Sequence, residues 1–293
     1  MNRILLFLIF VIFQSGFAQN LDFLKIRKFE VSVLSDSLKE NSGLHFVRGK
    51  LYTFNDGGNS SEIFEIDTKS GKINRTFTTG LQNQDWEAMT SDSANIYIAD
   101  FGSNAGMRKD LKIYRIPFES LLTASALGNA REITFFYPQQ TDFTKRLIDN
   151  DYDAEAMIFL NGKIHLFTKE WRSRAVTHYT LDPQMAGNQP AQQLETFQTD
   201  FVVTDASYFD KKLYLIGYTK KTEVFLSVFT ETQPGIFFQQ EPQKYYLGSA
   251  LSIGQIEGIA VDGSGVYISG EEFRSPLGTA RQRLYFVPNR KLH

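Results

Sequence analysis

The chain of 293 residues lacks cysteine altogether and contains only four histidines. Without cysteine it can have no disulfide scaffold, no thiolate metal site and no cysteine nucleophile. A chain of this length buries about three quarters of its unfolded surface, so its core needs no crosslinks. Histidine chemistry is sparse, and no Ser, His and Asp grouping emerges from the spacing of these residues.

A charge excess of either sign is also lacking. Lys and Arg number 31 against 33 Asp and Glu, which gives a formal net charge of -2. A general nucleic-acid binder needs a marked Lys and Arg excess to displace counterions from phosphates. The sequence therefore predicts no nucleic-acid partner.

Long hydrophobic runs are scarce. The one clear run covers residues 4–13, and its ten residues are too few for a membrane-spanning helix, which needs roughly 20. Arg3 precedes the run, and the small residues Gly16 and Ala18 follow it, which is typical of a secretory signal at residues 1–18. A short anchor or a buried helix is the alternative. We expect one domain at residues 19–293, exported to the periplasm or the extracellular space without stable membrane insertion.

The mature part of the chain is rich in short runs of Val, Ile, Tyr, Phe and Thr, separated by Gly, Asn, Asp and Ser. This pattern predicts an all-β fold. Helical periodicity is nearly absent, and the one candidate, at residues 118–127, is interpreted as a loop insertion.

A repeat of two strands occurs five times. Its motif positions lie 45 to 68 residues apart, and an aromatic or His residue follows ten residues later in four copies and nine in the other. Four-stranded blades have this length, so the repeat predicts a five-bladed β-propeller, with six blades as the alternative. A β-sandwich would give no phased repeat. Only about three strands fit after the last motif, so a strand from residues 26–33 is expected to close the ring. The five motif positions are Ser42, Glu87, Glu155, Asp205 and Glu257.

Acidic residues recur at the positions that would line the central channel. Four of the five motif positions are acidic. Glu40, Asp85 and Asp153 lie two residues before Ser42, Glu87 and Glu155 respectively. Two like charges ~5 Å apart repel by about 3 kcal/mol at an effective dielectric of 20. A cation, protonation of some acids, or basic side chains such as Lys169, Arg172 or Arg274 must therefore compensate.

Oxygen-only ligands favour Ca²⁺ or Mg²⁺ over Zn²⁺, and carboxylates from separate strands suit the tolerant Ca²⁺ shell. The alternative is that the acids accept backbone N–H groups or face water, with no metal bound. Asp85 or Asp153 is the candidate base that would activate water. The predicted Ca²⁺ ligands are Glu40, Glu87, Glu155, Asp205 and Glu257.

Polar clusters follow the second strand of several repeats, and loops on a rigid scaffold often carry function. These residues are candidates for a ligand-binding rim, although the cluster at Asp56 is more typical of a hairpin turn. Trp86 and Trp171 could stack on a sugar or base or simply pack, and His165 is interpreted as a core histidine. The candidate rim residues are Asp56, Asp100, Lys169, Trp171, Arg172, Glu271 and Arg274.

Several phrases resemble a group of exported bacterial propeller proteins of unassigned function, among them Asp85-Trp86-Glu87-Ala88-Met89 and Asp153-Ala154-Glu155-Ala156-Met157. More distantly, Ser42-Gly43-Leu44 and Ile268-Ser269-Gly270-Glu271-Glu272 are similar to calcium-activated nucleotidases (apyrases), and the short elements resemble gluconolactonase-like and phytase-like propellers. The resemblance to exported propellers implies the fold and no activity. The similarity to apyrases implies a central Ca²⁺, and the similarity to gluconolactonase-like and phytase-like propellers implies a channel metal that supports hydrolysis.

Two functions remain open from the sequence. One is Ca²⁺-supported hydrolysis of a phosphate ester, phosphate anhydride or lactone. The other is a non-catalytic propeller that binds a glycan or a protein. Both predict a small-molecule or macromolecular ligand outside the cytoplasm, and neither fixes an oligomeric state.

Overall fold

The computed structural model describes residues 21–276 and 278–292. The predicted secretory signal at residues 1–18 lies outside the described residues. Within the described part, no helix is long and apolar enough to cross a membrane.

Strands make up most of the regular structure in the described chain, with three short α-helices and three short 3-10 turns. The helices are α1 (Phe118–Leu122), α2 (Ala126–Asn129) and α3 (Ala250–Ile253), and the 3-10 turns are Ile26–Phe29, Asp36–Leu38 and Asn289–Lys291. The strands are β1 (Leu21–Phe23), β2 (Glu30–Val33), β3 (Asn41–Val47), β4 (Lys50–Asn55), β5 (Glu62–Ile66), β6 (Ile73–Thr78), β7 (Trp86–Ser91), β8 (Asn95–Asp100), β9 (Lys112–Pro117), β10 (Arg131–Phe136), β11 (Asp153–Leu160), β12 (Lys163–Lys169), β13 (Val176–Leu181), β14 (Gln189–Pro190), β15 (Gln192–Phe197), β16 (Val202–Phe209), β17 (Lys212–Tyr218), β18 (Glu223–Thr230), β19 (Gln243–Ser249), β20 (Gln255–Val261), β21 (Gly265–Glu271), β22 (Phe273–Ser275), β23 (Gly278–Ala280) and β24 (Arg283–Pro288).

Five antiparallel blades form a closed ring. From the inside outwards the blades are β3-β4-β5-β6, β7-β8-β9-β10, β11-β12-β13-β15, β16-β17-β18-β19 and β20-β21-β24-β2. The inner strands pack in a ring in which β3 contacts β7, β7 contacts β11, β11 contacts β16, β16 contacts β20, and β20 contacts β3. This arrangement confirms the predicted all-β, five-bladed propeller.

The ring closes with a strand from the N-terminal part of the described chain. Strand β2 pairs antiparallel with β24 and becomes the outer strand of the fifth blade. The predicted strand at residues 26–33 is therefore correct for its second half, while Ile26–Phe29 forms a 3-10 turn. Strands β2 and β24, from the two ends of the ring, pair in one sheet. If either strand unfolds, the other is left as an unpaired sheet edge.

The extra length of the second repeat is an insertion and not a sixth blade. Helices α1 and α2 lie between β9 and β10, and an irregular segment at residues 137–152 precedes β11. Short helices thus replace the loop that the sequence predicts at residues 118–127.

One apolar cluster fills each of the five interfaces between neighbouring blades. At the first interface the Trp86 ring lies edge-on to Phe54, with ring centroids 5.7 Å apart. Trp86 is completely buried, so it packs between blades and is not available for stacking on a ligand. The blades are thereby fixed relative to one another, which holds the inner strands around one axis.

Every inner strand carries a β-bulge at the same level. The extra residues are Gly43, Glu87, Glu155, Thr204 and Glu257. The sequence alignment is therefore wrong by one residue in two blades, where it equates Ser42 and Asp205 with the three glutamates. A bulge interrupts the period-two alternation, and spacing along the chain does not show where that occurs.

Candidate functional site

A cavity of about 130 Å³ lies on the propeller axis, and all five blades contribute to its wall. This volume holds on the order of four water molecules, so it suits an ion and its water better than a large organic ligand. We call it the axial cavity. It is lined by Ser42, Asp56, Glu87, Asn104, Glu155, Lys169, Trp171, Tyr218, Gln255, Glu257 and Glu271.

Three carboxylates meet beside the axial cavity. Asp56 follows β4, Asp85 precedes β7, and Glu87 is the bulge residue of β7; one oxygen from each lies within 4.8 Å of the others. We call these residues the acid triad. Glu87 is almost fully buried, and in the described chain no hydrogen bond reaches its carboxyl group. Asp85 and Glu87 are two residues apart, and the Glu87 side chain at the bulge meets the carboxylates of both aspartates.

Two glycines allow the backbone to lie directly on the triad. A Cβ atom at Gly102 would collide with carboxylate oxygens of Glu87 and Asp85, and one at Gly57 would lie 2.7 Å from the carbonyl oxygen of Gln84. Asp56 accepts a hydrogen bond from the Gly57 N–H. The triad is therefore enclosed by backbone that has no room for larger side chains.

Burial disfavours the charged forms of the triad. It raises the pKa of both Asp56 and Asp85 to about 6, and neighbouring carboxylates add to the shift. The pKa of Glu87 is raised well above its ordinary value, first by burial and then by Asp56, Glu155 and Asp85. The triad therefore favours a bound proton or a cation.

On the other side of the axial cavity, the protein supplies its own cation. Lys169 forms a buried ion pair with Glu155, and its Nζ lies 5.4 and 5.5 Å from the ring centroids of Trp171 and Tyr218. Burial alone would lower the pKa of Lys169, but Glu155 and other acids raise it well above its usual range. The second oxygen of Glu155 is buried and has no hydrogen-bond partner among the described residues.

Glu257 and Glu271 bring further acid to the cavity. Glu257 Oε1 accepts hydrogen bonds from Gln255 Nε2 at 2.7 Å and from the Tyr218 hydroxyl at 3.3 Å. The pKa of Glu271 is raised to about 9, mainly by burial and then by Glu257. One lysine thus faces six carboxyl groups in and beside the cavity.

The structure separates the predicted Ca²⁺ ligands into two sets. Glu87, Glu155 and Glu257 line one cavity, although they come from separate blades. The carboxylate of Asp205 instead accepts hydrogen bonds from the N–H groups of Leu44, Ala206 and Ile259. Glu40 is exposed and bonds to the Asn59 side chain at 2.7 Å. Neither Asp205 nor Glu40 lines the axial cavity.

The two candidate bases also differ. Asp85 belongs to the acid triad. Asp153 is fully buried behind the cavity wall, where one oxygen accepts the Ser103 N–H at 2.6 Å and the other has no partner in the described chain. Burial raises the pKa of Asp153 to about 6.

Of the candidate rim residues, some line the axial cavity and the others lie outside it. Asp56, Lys169, Trp171 and Glu271 line the axial cavity. Asp100 is buried in an ion pair with Arg108 at 2.9 Å and accepts the Asp85 N–H, so it positions the triad. Arg172 pairs with Asp149, and Arg274 is exposed beside Glu272.

Sequence reasoning missed Tyr218, whereas Gly102 and Asn104 belong to the polar cluster after β8 that the sequence proposes for the ligand-binding rim. A usable signal was present for Tyr218, because it occupies the same strand-end position as Lys169 and Glu271. His165 lies elsewhere, buried against His178 at 2.8 Å between ring nitrogens, and burial lowers its pKa to about 4. It is a core histidine with a partner.

Comparisons with known proteins find only distant similarity to solved structures. No family model and no curated protein matches the chain. It is similar to the hydrazine synthase of Kuenenia stuttgartiensis, with 10% identity and a TM-score of 0.40 over 84% of this chain and 59% of that one. It is also similar to the WD40 repeats of RRP9, with 10% identity and a TM-score of 0.42 over 88% and 96% of the two chains. The resemblance to exported propellers and to apyrases stays a prediction, and what the described fold shows is a five-bladed β-propeller.

Proposed function

We propose that the protein binds a divalent cation, Ca²⁺, at the acid triad on the propeller axis. The observation that supports this most strongly is the approach of three largely buried carboxylates within 4.8 Å. Lys169, whose ammonium group acts on the pKa of all three acids, is already paired with Glu155. Asp56, Asp85 and Glu87 therefore bring negative charge that no described basic side chain neutralises by direct pairing.

The donor set fits a hard cation. It consists of carboxylate oxygens, and no cysteine exists in the chain. Ca²⁺ takes six to eight oxygen ligands in flexible geometry, whereas Mg²⁺ demands a tighter octahedron. The unpartnered oxygen of Glu155 offers further oxygen on the cavity wall, and the cavity has room for water to complete the shell. When bound, Ca²⁺ would supply a Lewis acid that polarises an anionic or carbonyl oxygen.

Calorimetric titration with CaCl₂ tests the proposal. We expect Asp85→Asn and Glu87→Gln each to weaken Ca²⁺ binding at least tenfold, because each removes a charged ligand without changing shape. Glu132→Gln, on the outer strand β10, is the matched control and should bind as the wild type does. Unchanged affinity in both triad variants would remove the triad as the site.

A second prediction changes the space around the acid triad and leaves its three carboxylates in the sequence. Gly102→Ala should weaken Ca²⁺ binding at least tenfold, because the new methyl group would displace the carboxylates of Glu87 and Asp85. Gly128→Ala is the control, since a Cβ atom there meets nothing within 4 Å. If circular dichroism shows both variants folded and both bind Ca²⁺ equally, the close backbone approach has no role in the site.

Hydrolysis is the activity that we propose for this centre, with a phosphate ester, phosphate anhydride or lactone as substrate. What favours it is the presence of further carboxyl groups in the same cavity whose pKa is raised by burial, because such a group can keep a proton to donate as a general acid. Glu257 and Glu271 line the cavity beside the triad and can hold or accept a proton there. Asp85, as a ligand, is less suited to the role of base than the sequence implies.

The alternative proposal is a non-catalytic binding propeller in which the ion stiffens the channel. A panel of ester, anhydride and lactone substrates, assayed with Ca²⁺ and with EDTA, separates the two. Turnover that requires Ca²⁺ and is lost in Glu87→Gln supports the hydrolase. Ca²⁺ binding without turnover on any substrate supports the binding module. Export remains a proposal that rests on residues 1–18 and is tested by N-terminal sequencing of the mature protein.

A further inference from the structure

A second cavity, of about 450 Å³, adjoins the axial cavity, and Trp171 lines both. We call it the rim pocket. Its walls come from the segment after β12, the turn before β16 and the hairpin between β17 and β18. The residues that define it are Trp171, Arg174, Asp200, Lys220, Lys221 and Glu223.

Each of the three segments around the rim pocket contains a residue other than glycine with positive φ. The angles are 57° at Arg174, 66° at Asp200 and 66° at Thr222. Such a conformation is costly for L-residues, above all for a β-branched threonine, and strained backbone is concentrated at ligand sites. The strain is held in place, because the Arg174 carbonyl accepts hydrogen bonds from the Asp200 N–H at 2.9 Å and from the Thr199 hydroxyl at 3.0 Å.

The rim pocket is cationic, although the whole chain carries a formal charge of -2. Arg172 also lines it, but the guanidinium of Arg172 is paired with Asp149 at 3.3 Å. Arg174 and Lys221 form no ion pair within the part of the chain that the structure describes. An anionic group is therefore the complementary ligand for this end of the pocket.

Trp171 gives the pocket a flat aromatic wall. Lys220 Nζ lies 5.6 Å from the ring centroid, and Nε1 of the indole is buried with no hydrogen-bond partner among the described residues. Asp200 and Glu223 also line the pocket and supply carboxylate oxygens as acceptors. A ligand that fits must combine an acidic group, several hydroxyl donors and a flat apolar face.

We propose that the rim pocket binds an acidic saccharide, with the sugar carboxylate held by Arg174 and Lys221 and the sugar ring against Trp171. A simple inorganic anion would satisfy the two cations, but it would also face the carboxylates of Asp200 and Glu223, which repel it. A neutral sugar would leave Arg174 and Lys221 without a counter-charge. The two carboxylates and the two cations together therefore select a uronic acid unit.

Tryptophan fluorescence tests the proposal, because the chain has two tryptophans and Trp86 is completely buried between blades. Galacturonate, glucuronate and their short oligomers are titrated in EDTA, against galactose, glucose and inorganic phosphate. We expect saturable changes with at least one uronate series and at least tenfold weaker binding of the neutral sugars and of phosphate. Arg174→Gln and Lys221→Gln should each weaken uronate binding at least fivefold, and Lys163→Gln, an exposed lysine of the same blade as Trp171, should not.

No saturable response to any uronate would overturn the proposal. Phosphate or a neutral sugar binding as tightly as the uronates would also overturn it, in favour of a general anion or sugar site. If Arg174→Gln misfolds, Lys221→Gln, which changes an exposed residue, is the variant that tests whether the cations hold the uronate. The Asp85→Asn variant separates this inference from the cation proposal, because uronate binding in EDTA should survive that change whether or not Ca²⁺ binds the triad.

Discussion

At pH 8, Ca²⁺ at about one hundred times its dissociation constant is expected to raise the melting temperature by roughly 5–10 °C. A ligand at that concentration stabilises the native state by about 2.7 kcal/mol. For a domain of this size, each kcal/mol shifts the midpoint by roughly 2–4 °C. Differential scanning calorimetry with Ca²⁺ and with EDTA measures the effect.

At pH 5 the same Ca²⁺ concentration should raise the melting temperature by less than about 2 °C. The pKa values of Asp56 and Asp85 are about 6 in the folded protein, so below that pH the ion must displace protons from its ligands. In EDTA, without Ca²⁺, the protein's stability is expected to depend on pH in the opposite direction. Because these folded pKa values exceed the unfolded value of 3.8, the native state binds more protons, and the two carboxyls lose stabilising effect as the pH rises from about 4 through 6.

Variants and a second metal separate the effect of Ca²⁺ bound at the acid triad from general effects of salt on the melting temperature. Glu87→Gln should abolish most of the Ca²⁺ shift, and Glu132→Gln should retain it. An equal concentration of Mg²⁺ should give a smaller shift than Ca²⁺. A Ca²⁺ shift that is the same at pH 5 and pH 8 would be inconsistent with carboxylates that titrate near 6.

Replacement of Asp205 by Ala is expected to lower the free energy of unfolding by about 3–6 kcal/mol. The Asp205 carboxylate joins three blades at the axis, since it accepts the N–H groups of Leu44, Ala206 and Ile259 at 3.3, 2.8 and 2.7 Å. Each buried donor left without an acceptor costs about 1–3 kcal/mol. Urea unfolding followed by circular dichroism gives the value.

Two further variants make the Asp205 experiment specific. Asp205→Asn should lose less stability than Asp205→Ala, because its amide oxygen can keep accepting two of the three donors. Glu119→Ala, which removes an exposed ion pair with Arg48, should change stability by about 1 kcal/mol or less. Folded Asp205→Asn should bind Ca²⁺ like the wild type; a tenfold loss would instead assign Asp205 to the ion site.

The sequence by itself determined the five-bladed fold and the use of a strand near residue 30 to close the ring. Both follow from information that is local in the chain, namely strand composition, turn residues and the length of each repeat. The sequence also showed that carboxylates recur in phase, and Glu87, Glu155 and Glu257 do share one cavity.

Only the tertiary structure decided which carboxylates meet. A bulge adds one residue to each inner strand, so side-chain direction changes at a point that spacing does not reveal. For that reason the Asp205 carboxylate accepts backbone N–H groups, although the glutamates aligned with it in other blades line the axial cavity. Asp56 joins Asp85 and Glu87 from a different blade, and this meeting depends on the close approach of Gly57 and Gly102, which is a property of packed blades and not of any one strand.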